Sequence, residues 1–168
     1  MGYSTRYLGG PRIDPPLNPA EVAWLRAYSA TRTMEDDPYF VAMNPGADHL
    51  RRVGRSEAMR ETVVVTPWRD SLGRDWEPTT AGCHLTWVSC GRGNDGATQL
   101  EYLIDHFLRP QAHAALDGRD AFSDFTFDHV LNGYVAAERS DGRFTLIRIH
   151  DNEVEEVVLT SGAEDLWW

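Results

Sequence analysis

The alternation of apolar and polar residues is clearest near the C-terminus, between Phe122 and Leu159. A period of two over this stretch predicts three short strands. Tight turns are predicted at Ser140-Asp141-Gly142, where Asp-Gly favours a hairpin, and at Asp151-Asn152, two residues that tolerate positive φ. We therefore expect a three-stranded antiparallel meander around which the rest of the chain is organised.

A helix is predicted from Pro19 to about Thr31. Asn18 can cap the first exposed amides, Pro19 fits the first helical position, and Glu21 stands where a capping box needs an acidic side chain. These start signals are the sharpest local feature of the sequence.

A second helix is predicted from Gln99 to Arg109, where the following Pro110 ends it. Its apolar residues recur with the spacing of one helical face, which predicts that they are buried: Leu100, Leu103, Ile104, Phe107 and Leu108.

Further strands are predicted before the first helix and between the two helices. Residues Tyr3 to Ile13 indicate a strand broken at Gly9-Gly10-Pro11, and a hairpin is expected with strands near Asp75–Pro78 and Cys83–Cys90. The order of elements predicts one α+β domain over residues 1–168, with an antiparallel sheet, the C-terminal meander and two main helices on one face. Segment 33–67 is expected to be irregular, and 160–168 to form a short tail.

The charge of the chain limits its partners. With a net charge of −10 and no lysine, it is not expected to bind nucleic acid directly. An acidic surface could instead act as an antagonist or mimic aimed at a nucleic-acid-binding protein. No apolar run is long enough for a membrane helix and the first ten residues lack a signal core, so we expect a cytoplasmic protein without membrane contact.

Four segments of the chain carry a resemblance to a known set of sequences: MGYSTRY, IDPPLNPAEVAWLR, YLIDHFLRP and FTFDHVLNG. Together they resemble a family of small hypothetical proteins from high-GC Gram-positive bacteria and their phages. The resemblance implies no activity, so no catalytic residue is transferred. The sequence differs from the family pattern in its tryptophan strand pair and in the Trp167-Trp168 end.

Two Asp-His pairs, Asp105-His106 and Asp128-His129, are the candidates for catalysis. An imidazole oriented by a carboxylate is suited to general-base chemistry and to metal sites. Adjacent residues do not face each other on a helix or a strand, however, so structural hydrogen bonding where helix and sheet meet is the competing interpretation. The histidines can share a site only if residues 125–130 pack beside the second helix.

Other candidates for binding chemistry give weak signals. Cys83, His84 and Cys90 lack the spacing of a zinc site, so free thiols and no metal are expected. The loop Gly91–Gly96 resembles a dinucleotide fingerprint in letters only, because the parallel βαβ unit is missing. Arg92 in this loop remains a candidate contact for an anion, but no cofactor is predicted.

Six tryptophans are the other unusual feature. Trp68, Trp76 and Trp87 either belong to the core or line an open sheet face that binds a partner. Trp167 and Trp168 could dock on the chain's own sheet, on a partner subunit, or serve as a terminal tag.

The leading functional hypothesis is a small acidic, non-enzymatic binding protein whose contact surface is the tryptophan-bearing sheet or segment 33–67. Its partner would be another protein or a second copy of the chain. The alternative is a small enzyme with a site built from Asp105, His106, Asp128 and His129.

Overall fold

The structure is a computed structural model of the chain that describes residues 3–31, 36–43, 72–89 and 93–163. Segment 33–67 therefore lies largely outside the described residues. The strands are β1 (Thr5–Gly9), β2 (Arg12–Asp14), β3 (Trp76–Pro78), β4 (Leu85–Trp87), β5 (Val130–Arg139), β6 (Phe144–His150) and β7 (Glu153–Thr160). The helices are α1 (Pro19–Ala30), α2 (Gly96–Leu103) continued by a π-helix (Ile104–Leu108), and α3 (His113–Asp117), and a single 3-10 turn follows (Asp120–Phe122).

Strand β5 is the centre of the main antiparallel sheet. The strands follow the order β1-β5-β6-β7, and the short β2 also pairs with β5. Residues Tyr7 and Ile13 stand opposite Ala137 and Leu131 in β5, so the break at Gly9-Gly10-Pro11 lets one stretch of chain cover the whole edge of β5. The predicted α+β class, the antiparallel sheet and the C-terminal meander are confirmed.

The meander begins later than the sequence pattern indicates. Its first strand starts at Val130 rather than near Phe122. Phe122 and Phe125 are both buried at a spacing of three, which a strand with period two would not allow. The amide of Thr126 donates to the carboxylate of Glu21 at 2.7 Å instead of to a neighbouring strand. Residues 120–129 therefore form a 3-10 turn and an irregular segment against α1.

Helix α1 forms with the predicted start. Asn18 Oδ1 accepts from the amide of Glu21 at 3.0 Å, and Glu21 Oε2 accepts from the amide of Asn18 at 2.7 Å. This is a complete capping box, with Pro19 at the first turn. The helix buries Leu25 and Tyr28 in the core.

The second helix is not an α-helix over its whole predicted length. After Leu103 it widens into a π-helix, and the amide of Arg109 donates to the carbonyl of Ile104 at 3.1 Å, five residues earlier. The predicted apolar face is nevertheless buried in full. The apolar spacing predicted the buried face correctly but gave no indication of the π-helix. Single π-helical turns of this kind are frequent at functional sites.

The core lies between the helices and one face of the sheet. The inner face of β5 and β6 contributes alternate residues, all buried: Leu131, Val135, Ala137, Thr145, Ile147 and Ile149. Residues of α1, α2 and the π-helix belong to the same apolar cluster. None of the described helices is both long enough and apolar enough to span a membrane.

The tryptophan hairpin, formed by β3 and β4, is attached to the edge of β2. The amide of Leu85 donates to the carbonyl of Pro11 at 3.1 Å, and the amide of Ile13 donates to the carbonyl of Cys83 at 2.8 Å. Gly10 permits this approach, because a Cβ added there would lie 1.9 Å from the carbonyl oxygen of Leu85. The close contact fixes the hairpin against the main sheet.

We expect Gly10→Ala to destabilise the fold by about 2 kcal/mol or more, because the two backbones must separate to admit one methyl group. Gly118→Ala is the matched control: it has φ of +75° but no atom within 4 Å of the added Cβ, so only the conformational cost of about 1 kcal/mol applies. Urea unfolding of both variants measures the difference. Equal losses would contradict the close approach at Gly10.

Candidate functional site

A cleft of about 550 Å³ opens between β1 and the end of β4. The two strands are held together near Gly10 and Leu85 and diverge toward Ser4 and Ser89. Its volume is in the range of ligand-binding clefts. Its lining combines hydroxyl groups, two aromatic rings and ionised side chains: Ser4, Thr5, Arg6, Tyr7, Trp87, Ser89, Glu138, Arg139, Ser140 and Gly142.

The aromatic wall of this Tyr7–Trp87 cleft is built by the tryptophan hairpin. Trp76 and Trp87 stand directly opposite each other on β3 and β4, with ring centroids 5.4 Å apart in an edge-to-face arrangement. Trp76 is 1% exposed and its indole N–H donates to the carbonyl of Gly96 at 3.0 Å, so it belongs to the core. Trp87 is half-buried, its N–H donates to the carbonyl of Ser89 at 3.1 Å, and it lines the cleft.

Tyr7 completes the wall and ties it to α2. Its ring centroid lies 4.3 Å from that of Trp87, and its hydroxyl oxygen accepts from the amide of Gly96 at 3.0 Å. Burial raises the pKa of Tyr7 to about 12, so the hydroxyl stays protonated at neutral pH. Gly96 has no room for a side chain, because a Cβ there would lie 2.5 Å from the ring of Tyr7. The wall is thus fixed before any ligand arrives.

The charged rim of the cleft is organised in pairs. Arg6 donates to Glu138 across β1 and β5 at 2.9 Å. Arg139 donates through two nitrogens to Asp141, at 2.8 and 2.7 Å, and this hydrogen bonding lowers the pKa of Asp141 to about 2. A smaller cavity of about 170 Å³ adjoins the cleft and shares Thr5, Tyr7 and Arg139 with it. The rim therefore offers both signs of charge rather than one.

The second group of interest surrounds His106 in the π-helix. Its Nδ1 lies 2.5 Å from the hydroxyl oxygen of Tyr39, and its ring stacks on Tyr102 with centroids 3.8 Å apart. Burial, together with the nearby His113, lowers the pKa of His106 to about 4. Burial also raises the pKa of Tyr39 to about 12. Both groups are therefore neutral near pH 7.

The third group is a buried pair of His129 and Glu21. His129 is 1% exposed, its Nδ1 lies 2.7 Å from the carbonyl oxygen of Pro15, and its Nε2 lies 3.0 Å from Glu21 Oε1. A carbonyl and a carboxylate only accept, so both ring nitrogens carry a proton and the ring is an imidazolium. Thr126 adds a hydroxyl 3.1 Å from Nε2, and Asp128 Oδ1 lies 3.8 Å from the same nitrogen.

The pKa values of this pair move in opposite directions. Burial alone would lower the pKa of His129, but the hydrogen bonds to Glu21 and to Pro15 outweigh it and raise the pKa. Burial alone would raise the pKa of Glu21, but hydrogen bonds from His129 and from the amides of Thr126 and Asn18 lower it. The hydrogen bonds within the pair therefore favour the charged form of both groups.

The predicted catalytic residues do not share one set of partners. His106 contacts Tyr39, Tyr102 and His113, whereas His129 contacts Glu21, Thr126 and Pro15. Residues 125–130 do approach the second helix, since the amide of His129 donates to the carbonyl of Leu108 at 3.1 Å. The imidazole of His129 points to Glu21 instead. Asp105 pairs with Arg109, and the half-exposed Asp128 accepts from Thr126.

Of the predicted binding residues, Trp76 and Trp87 are described above. Trp68, Arg92, Trp167 and Trp168 lie outside the described residues, as does Cys90. Cys83 is a free thiol whose Sγ lies 3.2 Å from Nδ1 of His84. Among the described residues, no cluster of three or more His, Cys, Asp or Glu side chains could hold a metal ion.

The sequence interpretation missed Tyr7 and Arg6 as cleft residues, Tyr39 as the partner of His106, and Glu21 as the partner of His129. Alternation along 3–9 groups Tyr7 with Tyr3 and Thr5 on one face of the strand but gives no sign that β4 lies beside it. The acidic residue of the capping box was recognised, but its second role depends on residue 129, distant in sequence.

No family model matches the chain, and no match is found among curated proteins or solved structures. The resemblance of its motifs to small proteins of high-GC bacteria and phages therefore stays a prediction, and function is argued from the chain's own residues.

The His129–Glu21 pair predicts a specific dependence of stability on pH. Because the pKa of His129 is raised from 6.5, its contribution to the free energy of unfolding is complete below pH 6.5 and is lost as the pH rises through the folded-state pKa. Because the pKa of Glu21 is lowered from 4.5, its contribution is complete above pH 4.5 and is lost as the pH falls through the folded-state pKa. The pair stabilises the fold most between these two values.

His129→Gln should therefore cost about 3 kcal/mol near pH 5.5, since it leaves the Glu21 carboxylate buried without its cation. The cost should shrink as the pH rises above the folded-state pKa of His129. Urea unfolding at several pH values measures it. His150→Gln, at a histidine whose side chain is 86% exposed, is the control and should follow the wild type at every pH. A pH-independent cost for His129→Gln would contradict the charged pair.

For His106, a neutral imidazole nitrogen is the better acceptor and a phenol the better donor, so we expect Tyr39 O–H to donate to Nδ1 and the ring to carry its proton on Nε2. Nitrogen-detected NMR across a pH titration should show this tautomer and a pKa of about 4. Tyr39→Phe removes only the hydroxyl and should shift the Nδ1 resonance to that of an unbonded nitrogen. A proton on Nδ1 in the wild type would refute the assignment.

Proposed function

We propose that the protein is a non-enzymatic binding protein that takes an extended peptide segment of a protein partner into the Tyr7–Trp87 cleft. The observation that carries the proposal is the half-buried Trp87, held by Tyr7 and Trp76 in the wall of an open cleft of about 550 Å³. Fixed aromatic rings flanked by polar groups are what interfaces use as anchors.

The shape of the cleft favours an extended chain as the ligand. β1 is an edge strand of the sheet, and consecutive residues of the chain from Ser4 to Tyr7 line the cleft along it. An edge strand can accept a further strand through main-chain hydrogen bonds, with side chains of the added segment entering pockets at alternate positions. Trp87 would receive one such side chain, and the paired charges of Arg6 and Glu138 would lie at the rim.

The histidines give less support to the alternative, an enzyme. At neutral pH His106 is uncharged with a pKa of about 4, and its Nδ1 is already bonded to Tyr39, so it is a weak base. Both nitrogens of His129 are occupied and the ring is 1% exposed, so a substrate does not reach it. Within the described part of the chain, the π-helix around His106 is the feature that favours the enzyme.

The test is selection of random peptides displayed on phage against the full chain, followed by affinity measurement of the synthetic peptides. Trp87→Ala should weaken binding by about 30-fold, the loss typical of an aromatic hot spot. Ser4→Trp should fill the cleft with a large side chain while keeping the backbone hydrogen bonds that residue 4 makes. Tyr134→Ala is the matched control, because Tyr134 is an exposed aromatic residue that does not line the cleft.

Circular dichroism and thermal unfolding establish that each variant is folded before its affinity is compared. Selection of no peptide above background would contradict the proposal. So would peptides that bind Trp87→Ala and Ser4→Trp as tightly as they bind the wild type.

A further inference from the structure

The face of the main sheet that points away from the described helices carries an apolar row. Leu8, Ala136, Leu146 and Val157 stand in register, one on each of β1, β5, β6 and β7. On β5 and β6 the neighbours of this row along the strand are buried in the core on the opposite face: Val135, Ala137, Thr145 and Ile147. We call this surface the outer face.

Large apolar side chains on the outer face are open to solvent. Leu8 is 51% exposed, Tyr134 is 66% exposed and Phe144 is 37% exposed. Tyr134 lies two residues before Ala136 on β5, and Phe144 lies two residues before Leu146 on β6. Because the strands are antiparallel, these two side chains flank the apolar row on opposite sides. Ala136, Leu146 and Val157 are partly buried, so the row is an apolar strip across four strands with exposed large side chains in and beside it. An apolar strip of this kind is typical of an interaction surface.

Two ion pairs of the outer face lie within one copy: Arg6 with Glu138, at 2.9 Å, and Arg148 with Glu155. Two further charges lie at one end of the sheet, Arg12 on β2 and Glu153 on β7. Arg12 stands opposite Asn132 in β5 and Glu153 opposite His150 in β6, each one residue beyond the pair Gly133 and Ile149. Arg12 and Glu153 therefore have opposite charges at opposite sides of the same end of the outer face.

We propose that the outer face binds a second copy of this chain, forming a symmetric dimer. A two-fold axis that lies between the faces and runs along the strands places β1 over β7 of the second copy and β5 over β6. This is the aligned packing of two sheets, with strands about 30° apart. Arg12 of each copy then lies toward Glu153 of the other.

The same symmetry matches the apolar side chains by size. Leu146 would lie over the small Ala136 of the second copy, and Leu8 over its Val157. Arg12 would face Glu153 of the second copy, twice in the dimer. The pair Arg12 and Glu153 is self-complementary, which favours a second copy as the partner of the outer face. It also favours face-to-face packing, since β7 pairing edge to edge with itself would bring its glutamates together.

The size of the face sets the expected strength. The spacing between strands and the rise per residue give each face an area of roughly 19 by 24 Å, or about 900 Å² for two faces. This area treats each face as flat and does not include the additional surface of its side chains. Stable interfaces begin at about 1,000 Å², so the dimer should be weak, with dissociation at micromolar concentrations.

Sedimentation velocity of the full chain, from about 5 to about 500 µM, measures the association. The wild type should pass from monomer to dimer over this range. Leu8→Glu should raise the dissociation constant at least about tenfold by placing a charge in the apolar row. Leu116→Glu is the matched control, because Leu116 is 77% exposed but belongs to α3, outside the outer face, and it should leave the constant unchanged.

Charge reversal tests the proposed axis. Arg12→Glu and Glu153→Arg should each weaken the dimer, because each places like charges opposite each other twice. The double variant R12E/E153R should restore it. An equal mixture of the two single variants should also restore it, as a heterodimer, because each copy then supplies the charge that the other needs.

A chain that stays monomeric at every concentration would overturn the proposal. A dimer that survives Leu8→Glu and both single charge reversals would also overturn it, because it would use another surface. Loss of the dimer on removal of residues 164–168, with Leu8→Glu still dimeric, would assign the contact to the C-terminal segment instead. Peptide binding by the Tyr7–Trp87 cleft is measured separately and does not depend on these outcomes.

Discussion

The carboxylate of Glu21 holds together parts of the chain that are far apart in sequence. One oxygen closes the capping box of α1 by accepting from Asn18, and the other accepts from Thr126 and His129. His129 in turn reaches the carbonyl of Pro15. A carboxylate without exposure to water is tolerable only because each oxygen is satisfied and an imidazolium balances its charge. One buried ion pair therefore holds together the start of α1, the segment before β5 and the loop before α1.

The buried ion pair also distinguishes the two histidines that were candidates for catalysis. An imidazolium enclosed between a carbonyl and a carboxylate contributes its hydrogen bonds to the fold, which favours the structural interpretation of the Asp128-His129 pair. His106 differs because its ring is only half-buried and its partners are aromatic side chains. Two Asp-His pairs that look alike in sequence thus have unlike environments, and the difference arises from residues that only the fold brings near.

Sequence reasoning worked where the determining contacts are local. The capping residues of α1, the buried face of the second helix and both turns of the meander follow from neighbours within a few positions. It could not foresee the irregular path of 123–129, because the amide of Thr126 donates to Glu21, which is distant in sequence, and not to a neighbouring strand. Nor could it place Tyr7 beside Trp87, since that contact depends on how closely Gly10 lets the hairpin approach the sheet. Long-range contacts of this kind leave no local pattern.

Strand β1 connects the two surfaces proposed for binding. Because side chains alternate along a strand, Thr5 and Tyr7 point toward the hairpin, while Leu8 belongs to the outer face. Arg6 lies between the two surfaces, at the rim of the cleft. The unpaired backbone groups of an edge strand promote aggregation unless they are paired or covered, and a peptide added to β1 in the cleft would pair them. The alternation also separates the two partners sterically: a second copy on the outer face leaves the wall formed by Tyr7 and Trp87 on the opposite side of the strand. A short edge strand can in this way serve two interactions without forcing them to compete.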